Sequence, residues 1–336
     1  MIPHNKPTLD IEEEQAAQKV VRSGWLVQSS EVENFEREFC HFLGLPEEHT
    51  VAVTSGTAAL FLALWALQAD EKRVAFPAYV CSSLRHAVAM AGGVEVLLDS
   101  SPDSPNLDLS QLEQEETDLA VIPHLYGLPI DLSSLRNLSI IEDCAQAIGA
   151  KVSGVSVGLQ GKIGIFSFYA TKLMTSAGQG GMVVSKDRAL VDMIRDYREF
   201  DCRNDQKKRF NFQMTDLQAS IGRVQLRKLP DFLRRREEIF QSYRSVLNML
   251  DILKKDKLKL EPIRYRAVLR TNNPRQIIDR LASSKIKAII PLEDWELLGD
   301  SSLFPNAHHF TQTTVSLPIY PTLTDKNVDI IIKHLI

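Results

Sequence analysis

Residues Val51 to Leu67, VAVTSGTAALFLALWAL, decide the fold. Val51 to Thr54 is a short apolar run of strand length, and Ser55-Gly56-Thr57 is a turn. Ala58 to Ala69 is apolar nearly all round, the mark of a buried helix. The same unit recurs downstream. Arg73 to Phe76, Val94 to Asp99, Leu119 to Pro123 and Leu138 to Glu142 predict strands, with a helix over Ser82 to Ala91. Short apolar strands alternating with helices imply an α/β fold: a mainly parallel sheet with helices on both faces. Such sheets bind ligands beyond the carboxyl ends of their strands. Ser55-Gly56-Thr57, His124 and Asp143 all fall at that edge.

Upstream, Ile11 to Arg22 predicts an exposed helix. Val32 to Leu43 predicts a second, with Phe35, Phe39 and Phe42 on one apolar face. Downstream, Gly161 to Ser167 reads as a strand running into a loop, and Gly178-Gln179-Gly180-Gly181 leads to a strand over Met182 to Ser185. Thr215 to Leu229 is amphipathic, and Asp231 to Leu250 reads as a long basic helix that connects two domains. Lys254 to Lys259 is charge-rich and reads as a solvated linker or strand edge. The organisation expected is a large domain over 1–245 and a small α/β domain over 246–336.

The bulk composition excludes several classes. A chain of 336 residues is long enough for two packed cores. Its net charge of -4 offers no basic stripe for nucleic acid. The four cysteines, Cys40, Cys81, Cys144 and Cys202, form no C-x-x-C pair, so neither a zinc ribbon nor a disulfide scaffold is expected. The start of the chain lacks an apolar signal region, and the longest apolar run, Ala58 to Leu67, is too short to span a bilayer. A soluble cytoplasmic protein without metal is expected.

Three motifs bear on chemistry, each with a plainer alternative. Ser55-Gly56-Thr57 opens a helix directly after a strand, where free N–H groups and the helix dipole suit a phosphate; the same residues also suit a simple helix cap. Asp143 ends the apolar run Ile140-Ile141-Glu142-Asp143. An acid there either caps the next helix or meets a cationic ligand atom such as a protonated pyridine nitrogen. Lys172 ends Ser167-Phe168-Tyr169-Ala170-Thr171-Lys172. A loop lysine is usually a solvated charge, but apolar flanks favour a buried, nucleophilic amine.

The order of motifs is more specific than any one of them: SGTAAL, PAYVC, HLYGLP, IEDCAQAIGA, SFYATK, GQGG, then NFQMTDLQASIG. In this the chain closely resembles the DegT/DnrJ/EryC1/StrS family of sugar aminotransferases, from Ile2-Pro3 through to Ser316-Leu317-Pro318-Ile319-Tyr320-Pro321 and beyond. The resemblance implies a fold-type I domain like that of aspartate aminotransferase, followed by a small C-terminal domain. It implies pyridoxal 5'-phosphate as cofactor. It also implies transfer of an amino group from L-glutamate to a keto group of a nucleotide-linked sugar, in polysaccharide or secondary-metabolite synthesis. By the same resemblance, Lys172 is the covalent anchor and Asp143 pairs with the pyridine nitrogen. Gln146 bonds the cofactor's 3' oxygen, and Ser55, Gly56, Thr57 and Ser167 surround the phosphate. Asn211 matches a residue that reaches the phosphate of a neighbouring subunit, which implies a homodimer with shared sites.

Three positions depart from the family pattern. Cys81 stands where many members stack an aromatic residue on the cofactor ring. Gln179 replaces a glutamate of the glycine loop, and Gln213 replaces an arginine two residues after Asn211. These departures leave room for a catalytically silent relative. A sugar dehydratase on the same fold is a second rival, but those relatives carry histidine at the position of Lys172.

Overall fold

The computed structural model describes residues 1–135, 137–251 and 259–336. Its centre is a seven-stranded sheet. The strands are β1 (Thr50–Val53), β2 (Arg73–Pro77), β3 (Val94–Leu98), β4 (Leu119–Pro123), β5 (Ser139–Asp143), β8 (Ile163–Ser167) and β9 (Gly181–Val184). Between β5 and β8, the short β6 (Lys151–Val152) and β7 (Val155–Ser156) form a separate small sheet with β10 (Leu260–Glu261). The large sheet runs in the order β1-β9-β8-β5-β4-β2-β3. Only β9 is antiparallel to its neighbours. Because it runs backwards, its first residue, Gly181, lies between Val53 and Ser167 at the edge where the other strands end.

Alternation along the strands builds a core on each face. Val51, Val53, Ile163, Ile165 and Val183 pack against the helix Gly56–Ala66. Ala52, Phe166, Met182 and Val184 face the other way, onto Phe35 and Phe39 of the helix Ser30–Leu43 and Leu226 of the helix Asp216–Arg244. A helix buried all round is what the unpatterned apolarity of residues 58–66 requires.

Asp216–Arg244 is one helix of 29 residues, where the sequence suggests two. Thr215 and Gln218 form a capping box at its start. Pro230 sits inside it and lacks the N–H that would reach the Leu226 carbonyl. The helix is tied on both sides of the proline: before it Arg223 bonds Glu31 and Glu38 and Lys228 bonds Asp10 and Glu13, and after it Arg235 bonds Asp325 and Arg236 bonds the Ile319 carbonyl. It ends at Arg244, six residues before the expected Leu250. Residues 254–258 of the stretch read as a charged linker lie outside the described residues.

The C-terminal part has its own two-stranded antiparallel sheet, β11 (Ala267–Arg270) with β12 (Thr314–Leu317). Around it pack the helices Pro274–Ser283, Pro305–Thr313 and Asp325–Lys333. Its core includes Ile239, Phe240 and Tyr243, supplied by the end of the long helix. Leu297, Leu298, Phe304 and Phe310 join the core of the large sheet instead. Among the described residues no helix is long and apolar enough to cross a membrane.

Candidate active site

A cavity of about 310 Å³ opens at the carboxyl edge of the parallel strands, within the usual range for a small-molecule site. Every cofactor position expected from the sequence lines it except Asn211. A wider groove of about 740 Å³, bordered by Asp131 and Lys186, lies apart from all of them.

The capping role of the Ser55 turn is visible, and the turn also lines the cavity. Ser55 Oγ caps its helix, accepting the Ala58 N–H at 3.1 Å, and is therefore already engaged. Gly56 is the first helical residue, and it touches β8 so closely that a Cβ there would lie 2.7 Å from Ser167 Cβ. Gly181 is as restricted, since a Cβ on it would meet the Ser55 carbonyl oxygen at 2.3 Å. These two glycines let the turn, the start of β9 and the end of β8 converge on one point. Thr57 is exposed and Ser167 half-buried there.

Asp143 also caps with its carboxylate and lines the cavity. Its Oδ1 accepts the Ala145 N–H at 2.9 Å, the capping bond. The group is buried, lines the cavity, and forms no ion pair among the described residues. Burial pushes its pKa up; the Ala145 N–H and the charges of Lys172 and His124 pull it down by less. A cation in direct contact is what this carboxylate lacks among the described residues.

Beneath the cavity His124 and Glu142 are fully buried, with Nε2 and Oε2 3.0 Å apart. His124 Nδ1 accepts the Ile130 N–H at 3.1 Å, which leaves Nε2 as the protonated nitrogen that donates to Glu142. Burial alone would raise the Glu142 pKa, but the His124 bond and the N–H groups of Gly161 and Gly158 outweigh it and hold the carboxyl below its ordinary range. Cys144 lies close enough to complete a three-ligand cluster. A metal there would have to displace bonds that already use both histidine nitrogens and both glutamate oxygens.

Gln146 accepts the Tyr126 N–H at 2.9 Å through Oε1, which leaves its amide nitrogen to donate. Tyr126 is buried in the left-handed region, at φ 60°, with its hydroxyl 2.8 Å from that of Tyr79. Lys172 is half-buried rather than enclosed. Its Nζ lies 5.3 Å from the ring centroid of Tyr265, a buried residue of the C-terminal part. Cys81 is exposed on the cavity wall, and its Sγ accepts from Ser83 Oγ at 3.5 Å. Gln179 lines the cavity too. Gln213 is turned to Glu199, donating Nε2 at 3.1 Å. Asn211 is exposed away from this cavity, its Oδ1 taken by the Gln213 N–H at 3.0 Å.

Sequence reasoning missed Tyr265. The signal was an aromatic residue set among arginines in Arg264-Tyr265-Arg266, within a stretch read only as part of a small domain.

The family model of the DegT/DnrJ/EryC1/StrS aminotransferases matches residues 7–336. The chain belongs to that family. It is an aminotransferase, and its cofactor is pyridoxal 5'-phosphate. The erythromycin biosynthesis sensory transduction protein EryC1 of Saccharopolyspora erythraea is 33% identical, over 96% of this chain and 94% of that protein. The dTDP-3-amino-3,4,6-trideoxy-alpha-D-glucose transaminase of Streptomyces venezuelae is 31% identical, over 94% of this chain and 89% of that one. Among solved structures, the PMP-form of the sugar aminotransferase Spr1654 from Streptococcus pneumoniae, described as putative, superposes with a TM-score of 0.91 at 25% identity. That match covers 99% of this chain and 98% of that one. The cavity fits the cofactor on its own evidence: a glycine cradle at a helix N-terminus suits the phosphate, and a buried carboxylate without a cation suits the ring nitrogen.

Proposed function

We propose that this aminotransferase moves an amino group from L-glutamate to the keto group of a nucleotide-linked sugar, with Lys172 as the catalytic residue. One observation carries the reading: Lys172, Asp143 and the Ser55-Gly56-Thr57 turn line a single cavity at the sheet edge. The Streptomyces venezuelae relative, named for a dTDP-sugar, supports the choice of substrate class.

When bound, pyridoxal phosphate supplies an aldehyde that condenses with amines and a cationic ring that takes up electron density. Lys172 Nζ would hold that aldehyde, and the donor's amine would take its place. The freed amine would then take the proton from the donor's α-carbon as a general base and give it up, as a general acid, on the far side of the transferring nitrogen. After 2-oxoglutarate leaves, Lys172 runs the same transfer in reverse on the sugar carbon. Asp143 keeps the ring nitrogen protonated, and Gln146 donates its amide hydrogen to the ring oxygen. Gly56, Thr57 and Ser167 receive the phosphate, with Ser55 ordering the turn. Cys81 covers one ring face with less area than an aromatic residue would.

The protein is proposed to act as a homodimer, with Asn211 completing the partner's phosphate site. Asn211 is exposed beside Phe210, itself 66% exposed, and the apolar Trp25 and Val27 are also bare, as an uncovered interface would be. A boundary near residue 245, just past the end of the long helix, divides the large and small domains in this reading. Four free cysteines accord with a cytoplasmic location. The test is incubation with L-glutamate and a panel of nucleotide keto-sugars, read by mass spectrometry. An amino-sugar product with matching 2-oxoglutarate is expected; failure across the panel with cofactor bound would refute the substrate class.

A further inference from the structure

Residues 2–8 join the C-terminal part to the segment that carries Lys172. At one end Ile2 pairs with Ile286: its N–H donates to the Lys285 carbonyl at 2.8 Å, and its carbonyl accepts the Lys287 N–H at 2.9 Å. His4 Nε2 lies 2.9 Å from Ser316 Oγ on β12. Burial, followed by the charges of Arg266, Lys287 and Arg236, lowers the His4 pKa to about 3, so the ring stays neutral. At the other end Asn5 Nδ2 donates to the Thr171 carbonyl at 2.7 Å, one residue before Lys172. The Thr8 carbonyl accepts Gln225 Nε2 at 2.7 Å, and Oε1 of that buried glutamine accepts the Thr175 N–H at 3.3 Å. The Lys172 loop is thus gripped on both sides of the lysine by contacts that trace to the start of the chain.

Two polar atoms beside this segment are unmatched. Thr8 Oγ1 and Arg236 Nε are buried and have no hydrogen-bond partner among the described residues. Both residues line one small cavity, together with Lys6 and Lys172. Its volume, about 10 Å³, is roughly what a single water needs. Arg236 is fully buried on the long helix, and its Nη1 donates to the carbonyls of Arg264, Tyr265 and Ile319 at 3.3, 3.2 and 3.0 Å. Burial lowers its pKa to about 10, so it keeps its charge at neutral pH. A buried N–H left unmatched is costly, and a water with two or more polar partners removes that cost. A halide would suit the charge, but it is larger than water and could use the threonine only as a donor.

We propose that residues 2–8 form a strap that positions the Lys172 loop, and that one buried water, accepting from Arg236 Nε and bonded to Thr8 Oγ1, is its final link. This rests on the assignment of Lys172 above and adds two positioning residues to it, Asn5 and Thr8. Asn5 fixes the carbonyl that precedes the lysine. The water ties Thr8 to the arginine that also clamps the backbone at Tyr265, whose ring centroid lies 5.3 Å from Lys172 Nζ. Strap, lysine loop and Tyr265 therefore share one frame. A shift of the reacting amine within that frame is costly in rate, because a displacement of about 1 Å can cost about a hundredfold.

The test compares Thr8→Val, which keeps the shape and removes the hydroxyl, with Thr8→Ser, which keeps the hydroxyl, and with Asn5→Ala. Crystals of the wild-type protein grown with bromide should show one water within hydrogen-bonding distance of Thr8 Oγ1 and Arg236 Nε, and crystals of Thr8→Val should lack it. Bromide at that position, or no density there in wild type, would overturn the link. Amide hydrogen exchange over residues 168–176 should quicken at least about tenfold in Thr8→Val and Asn5→Ala, with or without cofactor, and stay within about twofold of wild type in Thr8→Ser. In the holoprotein Thr8→Val should lower kcat about tenfold and leave the KM for glutamate and for the keto-sugar within about twofold, with kcat restored in Thr8→Ser. Faster exchange confined to residues 5–9, or a kcat unchanged in both Thr8→Val and Asn5→Ala, would refute the positioning role. Should Thr8→Val fail to fold, Asn5→Ala decides by the same exchange and kcat measurements. Faster exchange over residues 168–176 together with full turnover by Lys172→Ala would support the strap and refute the Lys172 assignment instead.

Discussion

Gly56→Ala isolates the contact on which the phosphate end of the cavity depends. Gly56 has no left-handed φ, so an alanine meets no backbone strain. The obstacle is space. A Cβ would lie 2.7 Å from Ser167 Cβ, 2.9 Å from Ser167 Oγ and 3.3 Å from Ser167 Cα. Ordinary contact starts near 3.4 Å, so the turn and β8 must separate by about 0.7 Å. Overpacking of this size costs roughly 1–3 kcal/mol. Misplacement approaching 1 Å in a site can cost about a hundredfold in rate. Gly56→Ala should therefore lower the melting temperature and release cofactor on dialysis, followed by absorbance. Ser167→Gly removes the two shorter contacts. The double variant should regain most of the stability, a coupling of about 1 kcal/mol or more in the double-mutant cycle. It should still retain cofactor poorly, because the Ser167 hydroxyl is a proposed phosphate ligand. A Gly56→Ala protein that melts and holds cofactor like wild type, or a cycle without coupling, would refute the packing argument.

Gly181→Ala should be worse and beyond rescue by any side-chain deletion, since its Cβ would meet Ser55 and Gly56 backbone atoms at 2.3–2.8 Å; the check is melting temperature with and without Ser167→Gly. Asp143→Asn should change pH dependence. In the cofactor-free chain burial raises the Asp143 pKa above 3.8, so the stability it contributes is present below that value and lost as pH rises through the raised one. Cofactor-free Asp143→Asn should thus lose less stability than wild type between about pH 4 and 7, and with cofactor bound wild type should be the more stable; parallel pH curves in the cofactor-free pair would contradict this. Cys81→Phe should tighten cofactor retention by up to about tenfold, the worth of an aromatic contact of about 0.5–1.5 kcal/mol, measured by equilibrium dialysis.

Much of the fold was legible because short apolar strands and capped helices carry local signals. Leu119–Pro123 matches its expected span residue for residue, and the helix at Ile11 differs from its expected span by one residue at its end. The long helix was misjudged because Pro230 is a local stop signal, whereas the contacts that hold the helix on either side of it join residues 90 or more positions apart. Ser55 and Asp143 posed a choice between capping and ligand binding that the sequence leaves open. The structure shows each capping with one oxygen and lining the cavity as well. Tyr265 was silent because nothing near it in the chain resembles a site. Its significance comes from folding, which sets its ring beside a lysine more than 90 residues earlier.

The central claim is that Lys172 bonds the cofactor and turns over with an amino donor. Borohydride reduction of the holoprotein followed by peptide mapping tests it most directly, before and after addition of L-glutamate. The account predicts one reduced adduct, on Lys172, which disappears when glutamate is added first. An adduct on a different lysine, or one on Lys172 that every amino acid leaves untouched, would contradict it.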